Sequence, residues 1–527
     1  MRVALISPYS NITSFGVRLL SSCLKGAGHQ VKLVFMSAYS RAHHLREFAE
    51  RPYSESGLAS LSELCSDCDL VGISLMTNFH AAAVQMTEAI RERRTGVPIL
   101  WGGVHPTICP GESLEHADMV CIGEGEEALL ELVDRLERGK GADQVRNVWL
   151  RRDGRVQKNP IRPWLHDLGS LPLPDSDTGS HFAITPDGSK VVPMDAALTR
   201  HHLLSHAGRP GMATYSVMTT RGCPRNCTYC ANNALRRTIG PEGYCRAAPI
   251  DWVMGDLRAG VAAYAAEYVV FDDDCLLCRP LPELQDLGRR YREQIGLPFR
   301  AMAIPPSVSE AKLDCLVEAG LSEVQIGVQS ASVETLRLYN RGWGHPATVR
   351  KAAGLLSRHA GRLMPTWDFI LDNPHEDGGD VVSSAWLIRD LPRPARFQLF
   401  SLMAYPGTEL AAAREAGDQM NSEVLERICR SHYHDTWPTY VNFLCSLATR
   451  RPPRWLFGVL TSRAVRFACE RRWFQHLYTR LRRLRRRAPR TEPGPPEGRP
   501  ARLPASTAGP SDGDPPPIGI RGGGSSP

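Results

Sequence analysis

The sequence predicts an α/β fold in which two parallel β-sheets follow each other along the chain, with a helical extension after the second. Two observations support this class. Short apolar runs alternate with amphipathic stretches over residues 1–135, and the same alternation restarts at Tyr215 and repeats over six units. Such alternation is typical of parallel sheets with helices on their faces. We therefore predict a doubly wound domain over 1–135 and a partial (β/α)6 barrel over 211–415.

In the first region, the predicted strands are short and continuously apolar, and stretches of helical periodicity separate them. The strands are expected at 3–6, 31–35, 70–75, 99–101 and 120–122, and helices at 15–27, 81–94 and 126–138. Ligands of such sheets bind beyond the carboxyl ends of the strands. Small or polar residues follow the strands there and are candidate ligand contacts: Ser74, Gly102, Gly103, His105, Gly123, Glu124 and Gly125.

Residues 136–210 contain many Pro, Gly and Asp residues and little apolar periodicity. This composition favours turns over regular elements, so we predict an irregular linker that wraps between the two domains.

In the second region, the six predicted strands lie at 215–218, 268–271, 299–302, 323–326, 366–370 and 397–402. Helical stretches separate them, and six such units curve into a partial barrel. The active site of such a barrel lies at the carboxyl ends of its strands.

The C-terminal part predicts a basic helical extension over 416–490 and a disordered tail over 491–527. Fourteen Arg and one acidic residue lie between Arg450 and Arg490, so the rest of the chain is slightly acidic despite a net charge of +7. A basic amphipathic helix can contact a membrane surface or a nucleic acid. A solvated face is the commoner reading, so we expect no nucleic acid and leave peripheral membrane contact open. Pro, Gly and Ser dominate the tail.

Composition indicates an ordinary globular protein of a reducing compartment. The hydrophobic fraction is 42%, and the fifteen cysteines show no framework of regular spacings. No run reaches the roughly 18 apolar residues that a membrane span needs, and the N-terminus does not resemble a signal peptide. We therefore expect a cytoplasmic protein without structural disulfides.

The most informative motif is Cys223, Cys227 and Cys230 in a C-x3-C-x2-C spacing. Thiolates favour iron–sulfur clusters or zinc. A structural zinc site needs a fourth Cys or His nearby, whereas the next cysteine, Cys245, lies fifteen residues on. Three thiolates leave one iron of a cubane cluster without a protein ligand. The alternative is three unrelated cysteines in a loop.

With Tyr229 just before the third cysteine, this motif resembles the signature of the radical S-adenosylmethionine (SAM) enzymes. The resemblance implies a 4Fe–4S cluster on the three cysteines and SAM beside it. The family's commoner Gly-Gly-Glu string is absent, and Gln329 stands where Glu is common. The acidic run after the second barrel strand could instead be a solvated turn. The residues that the resemblance places against SAM are Tyr229, Asp272, Asp273, Gln329 and Ser330.

The strings at 101–107 and 118–126 resemble the cobalamin-binding domain found upstream of many radical SAM modules. The resemblance implies that Ser74 and the glycine-rich turns contact cobalamin. The D-x-H-x-x-G string of histidine-ligated cobalamin proteins is absent, which implies a base-off form without a protein imidazole on cobalt. The alternative is an empty scaffold domain.

Together the two halves are similar to the cobalamin-dependent (class B) radical SAM methyltransferases. This resemblance implies methylation of an unactivated carbon of a small molecule, for example a natural product, with electrons from a flavodoxin or ferredoxin. Two alternatives stay open. One is a non-methylating oxidation, cyclisation or rearrangement with the same cofactors, and the other is a non-catalytic binder with a vestigial cluster.

Overall fold

The computed structural model describes residues 1–9, 11–37, 52–93, 96–152, 154–205, 211–373, 375–415, 436–437 and 439–469. These residues belong to one compact unit, Met1–Gln475. The Arg-rich helix and the tail predicted beyond residue 469 lie outside the described residues.

The N-terminal sheet has a parallel core of five strands in the order β2-β1-β3-β4-β5. The chain runs from β1 to β2 on one side and returns to β3 on the other, and ligands of doubly wound sheets bind at such a reversal. The sequence prediction of this core is confirmed. The strands are β1 (Arg2–Ser7), β2 (Gln30–Phe35), β3 (Leu70–Ser74), β4 (Ile99–Gly102) and β5 (Met119–Cys121).

Helices cover both faces of this sheet, which explains the continuous apolar strands. Val3 and Leu5 pack in the same cluster as residues of α1 and α6, whereas Ala4 and Ile6 pack with α2 and α3. The helices are α1 (Phe15–Gly26), α2 (Glu55–Leu64), α3 (His80–Arg93), α4 (Val104–Ile108), α5 (Pro110–Ser113) and α6 (Glu126–Glu137).

The prediction of an irregular linker over 136–210 is wrong for much of its length, because the segment extends the N-terminal sheet at both edges. At one edge, β6 pairs antiparallel with β5, and β7 pairs antiparallel with β6. At the other edge, β8 pairs parallel with β2, and β9 pairs antiparallel with β8. These strands have only three to five residues, and all except β8, which is largely buried, are partly exposed, so they lack the apolar pattern of the core strands. They are β6 (Val148–Arg152), β7 (Arg155–Lys158), β8 (His181–Ile184) and β9 (Val191–Pro193), followed by helix α7 (Ala196–Ser205).

The second sheet has six parallel strands whose spatial order equals their order in the chain, as the sequence predicts for a partial barrel. Each neighbouring pair is parallel. Its strands are β10 (Thr214–Val217), β13 (Tyr268–Phe271), β14 (Phe299–Ala303), β15 (Leu321–Gln329), β16 (Met364–Leu371) and β17 (Arg396–Ser401). A separate antiparallel pair, β11 (Thr220–Arg221) and β12 (Arg246–Ala247), flanks the loop after β10.

Helices alternate with the barrel strands. They are α8 (Ala231–Ile239), α9 (Ile250–Ala263), α10 (Leu281–Gln294), α11 (Glu310–Ala319), α12 (Val333–Leu338), α13 (Pro346–Ser357), α14 (Gly378–Asp390) and α15 (Glu409–Glu415).

The described part of the C-terminal extension is helical, as predicted. Leu444 and Ala448 of the first of its helices belong to the same apolar cluster as barrel residues. Within the described ranges, we find no helix long and apolar enough to cross a membrane. The helices are α16 (Tyr440–Ala448), α17 (Arg454–Thr461) and α18 (Arg463–Cys469).

Candidate functional site

The three motif cysteines lie in the loop between β10 and α8, at the carboxyl end of the barrel sheet. Cys230 directly precedes α8, and its backbone N–H bonds to the carbonyl of Cys227 (3.1 Å). Cys227 is buried, and Cys223 and Cys230 are partly exposed. The loop therefore presents three sulfur atoms at the barrel mouth.

Burial raises the thiol pKa of Cys223 to about 12 and that of Cys230 to about 11. At these two positions the protein alone favours neutral thiols, and thiolate ligands there need a bound positive charge. Iron of a cluster supplies that charge and prefers sulfur ligands. The donor set therefore fits an iron–sulfur cluster.

A buried cation, Arg341, lies beside this loop. Its Nη1 donates to Cys227 Sγ (3.3 Å) and to the Tyr229 hydroxyl (3.1 Å), and its Nη2 donates to the Gly327 carbonyl (2.7 Å). Its guanidinium also lies over the Trp343 ring, 4.2 Å from the centroid. Sequence reasoning gave Arg341 no role, although the string Asn340-Arg341-Gly342 closely follows the fourth barrel strand.

Tyr229 packs its ring edge-on against Tyr339 (4.8 Å between centroids) in addition to its contact with Arg341. Burial raises the pKa of the Tyr229 phenol above its ordinary value. The predicted contact of Tyr229 with SAM is not tested and stays a prediction.

A cavity of about 750 Å³ lies between the carboxyl ends of the two sheets. Six of the seven residues predicted to contact cobalamin line its N-terminal wall: Ser74, Gly102, Gly103, Gly123, Glu124 and Gly125. The barrel wall includes Met218, Arg221, Asn232, Asp272 and Asp274. The cavity also extends between α1 and α6 along Leu5, Val17, Leu20 and Leu129.

Two glycines allow close contacts at this cavity, one within its N-terminal wall and one between the two walls. Gly103 has a φ of 104°, and a Cβ there would lie 2.7 Å from the Leu75 carbonyl oxygen. Gly123 has a φ of 81°, and its Cβ would lie 2.7 Å from Ile239 Cδ1. Only glycine adopts both conformations without strain. The glycine turns and the apolar branch between α1 and α6 are the kind of surface that a corrin ring and its nucleotide tail need.

His105 does not line this cavity, which corrects the prediction that it contacts cobalamin. Its side chain is 1% exposed and lies beneath the Gly103 turn, with Nδ1 3.2 Å from Thr77 Oγ1. Burial, aided by the nearby His80, lowers its pKa to about 3. The imidazole is therefore neutral and lies behind the cavity lining, in contact with Thr77, which itself lines the cavity.

The three aspartates after β13, residues 272–274, have two different roles. Asp272 and Asp274 line the cavity. Asp273 is fully buried and accepts from the Thr219 backbone N–H (2.9 Å) and from Thr220. Burial raises its pKa to about 6. The prediction that Asp273 contacts SAM is therefore corrected, because this carboxylate holds the segment that leads into the cysteine loop.

The two polar residues at the end of β15, Gln329 and Ser330, also lie in different environments. Ser330 is 1% exposed and donates to Glu376 Oε1 (2.7 Å), so its predicted contact with SAM is corrected too. Gln329 has a φ of 73°, and its Oε1 is buried without a hydrogen-bond partner among the described residues. An orphaned acceptor of this kind is suited to a ligand hydroxyl or ammonium group.

Glu124, predicted as a cobalamin contact, also joins the two domains. It accepts from Arg221 (2.5 Å) and Arg246 (2.9 Å), while Arg221 also pairs with Glu126 (2.5 Å). Burial opposes ionisation, yet the two arginines hold the pKa of Glu124 below its usual value. These ion pairs connect the turn after β5, in the N-terminal sheet, to the β11–β12 pair beside the cysteine loop. Sequence reasoning missed them because the partners are far apart in the chain.

Comparison with known protein families yields two matches. The model of the B12 binding domain matches residues 1–133, and that of the Radical SAM superfamily matches residues 217–385. The second match contains the three cysteines, and the first contains the glycine turns of the cavity.

Two curated relatives and one solved structure illustrate the similarity. An uncharacterized methyltransferase of Pyrococcus horikoshii is 23% identical over 391 residues, which cover 73% of this chain and 78% of that protein. The anaerobic magnesium-protoporphyrin IX monomethyl ester cyclase of Synechocystis is 25% identical over 43% of this chain and 40% of its own length. The fold matches TsrM from Kitasatospora setae, a radical SAM methyltransferase solved with cobalamin and a [4Fe-4S] cluster, with a TM-score of 0.60 at 16% identity, covering 80% and 76% of the two chains.

Proposed function

Because the chain belongs to the radical SAM enzymes that carry an N-terminal B12-binding domain, we propose that it methylates an unactivated carbon of a small molecule. Its cofactors are a 4Fe–4S cluster, SAM and cobalamin. One observation carries the proposal: a single cavity is lined by the predicted cobalamin turns and by residues next to the cysteine loop. A substrate in that cavity would contact both cofactor sites.

The cofactors supply the radical and methyl-transfer chemistry, and the side chains of this chain position the reactants. Cys223, Cys227 and Cys230 would hold the cluster. Asp272 and Asp274 line the cavity and are suited to the ammonium and hydroxyl groups of SAM. Gln329 does not line the cavity, but its buried Oε1 has no hydrogen-bond partner among the described residues and is a further candidate acceptor. The glycine turns of the N-terminal wall would face the corrin.

The protein environment also excludes water and fixes distances. The pairs of Glu124 with Arg221 and Arg246 hold the two walls of the cavity together. Most of the cavity wall is apolar, so a bound substrate would displace water from the reacting centre. We further propose that a flavodoxin or ferredoxin of the cytoplasm reduces the cluster.

The test is anaerobic turnover of the reconstituted protein with SAM that carries a labelled methyl group. We expect the label in a product that is heavier than its substrate by one CH2 unit. Cys227→Ala should lose iron and SAM cleavage together, and Cys245→Ala serves as a matched control because Cys245 lies outside the motif. Full SAM cleavage by the Cys227→Ala variant would refute the cluster assignment.

A second candidate is a non-methylating cyclisation or oxidation, favoured by the similarity to the Synechocystis cyclase. The same experiment separates the two. A product that has lost hydrogens and carries no label would support cyclisation and refute methyl transfer.

A further inference from the structure

A cluster of metal-ligating side chains lies beneath the Gly103 turn, outside the cavity. His80 begins α3, His105 lies in α4 and Glu112 lies in α5. One ligand atom of each lies within 4.8 Å of those of the other two. Three separate segments of the N-terminal domain therefore converge here on one point.

The distances inside this cluster are too long for hydrogen bonds and suit an ion between the groups. His105 Nε2 lies 3.6 Å from Glu112 Oε2, and His80 Nε2 lies 3.8 Å from Glu112 Oε1. Hydrogen bonds between such atoms are about 2.7–3.2 Å long. Ligands on a tetrahedral zinc with bonds of about 2.0–2.1 Å are roughly 3.3 Å apart. A small local contraction would complete such a site.

His105 is oriented as a metal ligand. Its Nε2 is buried and has no hydrogen-bond partner among the described residues, whereas Nδ1 contacts Thr77 Oγ1 (3.2 Å). In the tautomer in which Nδ1 donates to Thr77, the Nε2 lone pair faces Glu112. Ligating histidines usually donate their other ring N–H in this way, which fixes the ring.

Ring contacts also fix the position of the second histidine, His80. The His80 ring packs edge-on against Trp101 (5.7 Å between centroids) and against His105 (4.9 Å). Trp101 is fully buried. Glu112 is half exposed and His80 is partly exposed, so solvent can reach the cluster, whereas His105 is buried.

We propose that His80, His105 and Glu112 form a binding site for a divalent zinc-type ion, with a fourth position open to water. Two imidazole nitrogens and one carboxylate are a ligand set typical of zinc. The ion joins the starts of α3, α4 and α5 under the turn that carries Gly103, and it therefore stiffens one wall of the cavity. The proposal does not depend on the identity of the substrate or on the cobalamin assignment.

The test uses the full chain with its cluster and cobalamin loaded, because empty cysteine ligands would also bind zinc. The protein is equilibrated with Zn²⁺, passed through a desalting column with a weak chelator, and analysed for zinc per chain. We expect one retained zinc in the wild type. Glu112→Gln and His80→Gln should each weaken zinc affinity at least tenfold. Glu115→Gln is the matched control, because Glu115 is exposed and lies two residues beyond α5.

A second readout is thermal unfolding, since an ion that binds only the folded chain raises its melting temperature. Zinc should raise it in the wild type and in Glu115→Gln, but not in Glu112→Gln. If Glu112→Gln and His80→Gln both retained as much zinc as the wild type, the proposal would be overturned. The zinc would then have to bind elsewhere, and Cys275 and Cys278, whose sulfur atoms are 3.0 Å apart, would be the first candidates. Absence of retained zinc in the wild type would overturn it as well. Glu112 is half exposed, so its variant should fold even if His80→Gln does not.

Discussion

Arg341 donates a hydrogen bond to the sulfur of Cys227, the most buried of the three motif cysteines (3.3 Å). The guanidinium is 5% exposed and is fixed by Gly327 and Trp343. A buried positive charge beside one ligand of a cluster stabilises its more negative, reduced state. This contact therefore connects the fourth barrel strand to the electronic properties of the proposed cluster.

Arg341→Met should lower the reduction potential of the cluster. A hydrogen bond to a charged group contributes about 1.5–3 kcal/mol, and only part of it differs between the two oxidation states. We expect a shift of tens of millivolts, measured by anaerobic potentiometric titration with EPR detection. Arg337→Met is the control, because Arg337 is exposed on α12. Equal reduction potentials in the Arg341→Met and Arg337→Met variants would show that Arg341 contributes packing but no charge effect on the cluster.

Glu124→Ala should loosen the contact between the two domains. It leaves Arg221 and Arg246, which are 14% and 6% exposed, without their common carboxylate. Removal of one partner of a buried ion pair costs about 3 kcal/mol or more. Denaturant unfolding should show this loss, with a smaller loss for Glu124→Gln.

The matched control is Glu127→Ala, since the carboxylate of Glu127 is 61% exposed. If both alanine variants unfolded at the same denaturant concentration, the contact between the domains would have to depend on apolar packing instead.

Gly103→Ala should reduce cobalamin uptake at least tenfold. The added methyl group would overlap the Leu75 carbonyl, and the positive φ would strain the backbone. Uptake is measured by absorption after reconstitution and desalting. Gly111→Ala is the control, because no atom lies within 4 Å of its Cβ position. Undiminished uptake by Gly103→Ala would contradict the assignment of this wall.

Asp368→Asn should change the pH dependence of stability. Burial raises the pKa of Asp368 to about 7, well above its ordinary value near 3.8, although Gln325 donates to it (2.8 Å). The folded state therefore holds this proton more tightly than the unfolded state, and wild-type stability falls as pH rises from about 4 to 7. Asparagine cannot ionise, so the variant should lose less stability over that range.

The measurement is denaturant unfolding of both proteins at pH 5 and pH 8. The difference between the variant and the wild type should move in favour of the variant by roughly 2–4 kcal/mol, which follows from about 1.4 kcal/mol per pKa unit. A difference that is the same at both pH values would indicate that Asp368 is already ionised in the folded state at pH 5, with an ordinary carboxyl pKa.

The sequence predicted the elements that have strong local signals. The five core strands and the six barrel strands are apolar and regularly spaced, so both sheets and the cysteine loop could be placed. Strands β6 to β9 were missed because they have only three to five residues and, except for β8, are partly exposed. Neighbouring strands rather than their own pattern order them.

Side-chain orientation was harder to predict than position. His105, Asp273 and Ser330 stand at the expected strand ends, but each side chain is itself buried and forms hydrogen bonds to neighbouring protein groups. Position along a strand indicates nearness to a site, whereas the direction of a side chain depends on its partners. Arg341 lies 114 residues from Cys227, and Arg221 and Arg246 lie 97 and 122 residues from Glu124, so no local pattern could reveal these contacts.

Strands β6 to β9 determine which segment of the chain could be transferred to another protein as a folded domain. A fragment that ends at residue 135 would leave the edges of β2 and β5 bare, because β8 and β6 normally pair with them. Exposed parallel edges promote association between chains. A donor segment for hybrid enzymes would therefore have to extend to Pro193, at the end of β9, and any exchange of cofactor modules within this architecture would include the segment that connects them.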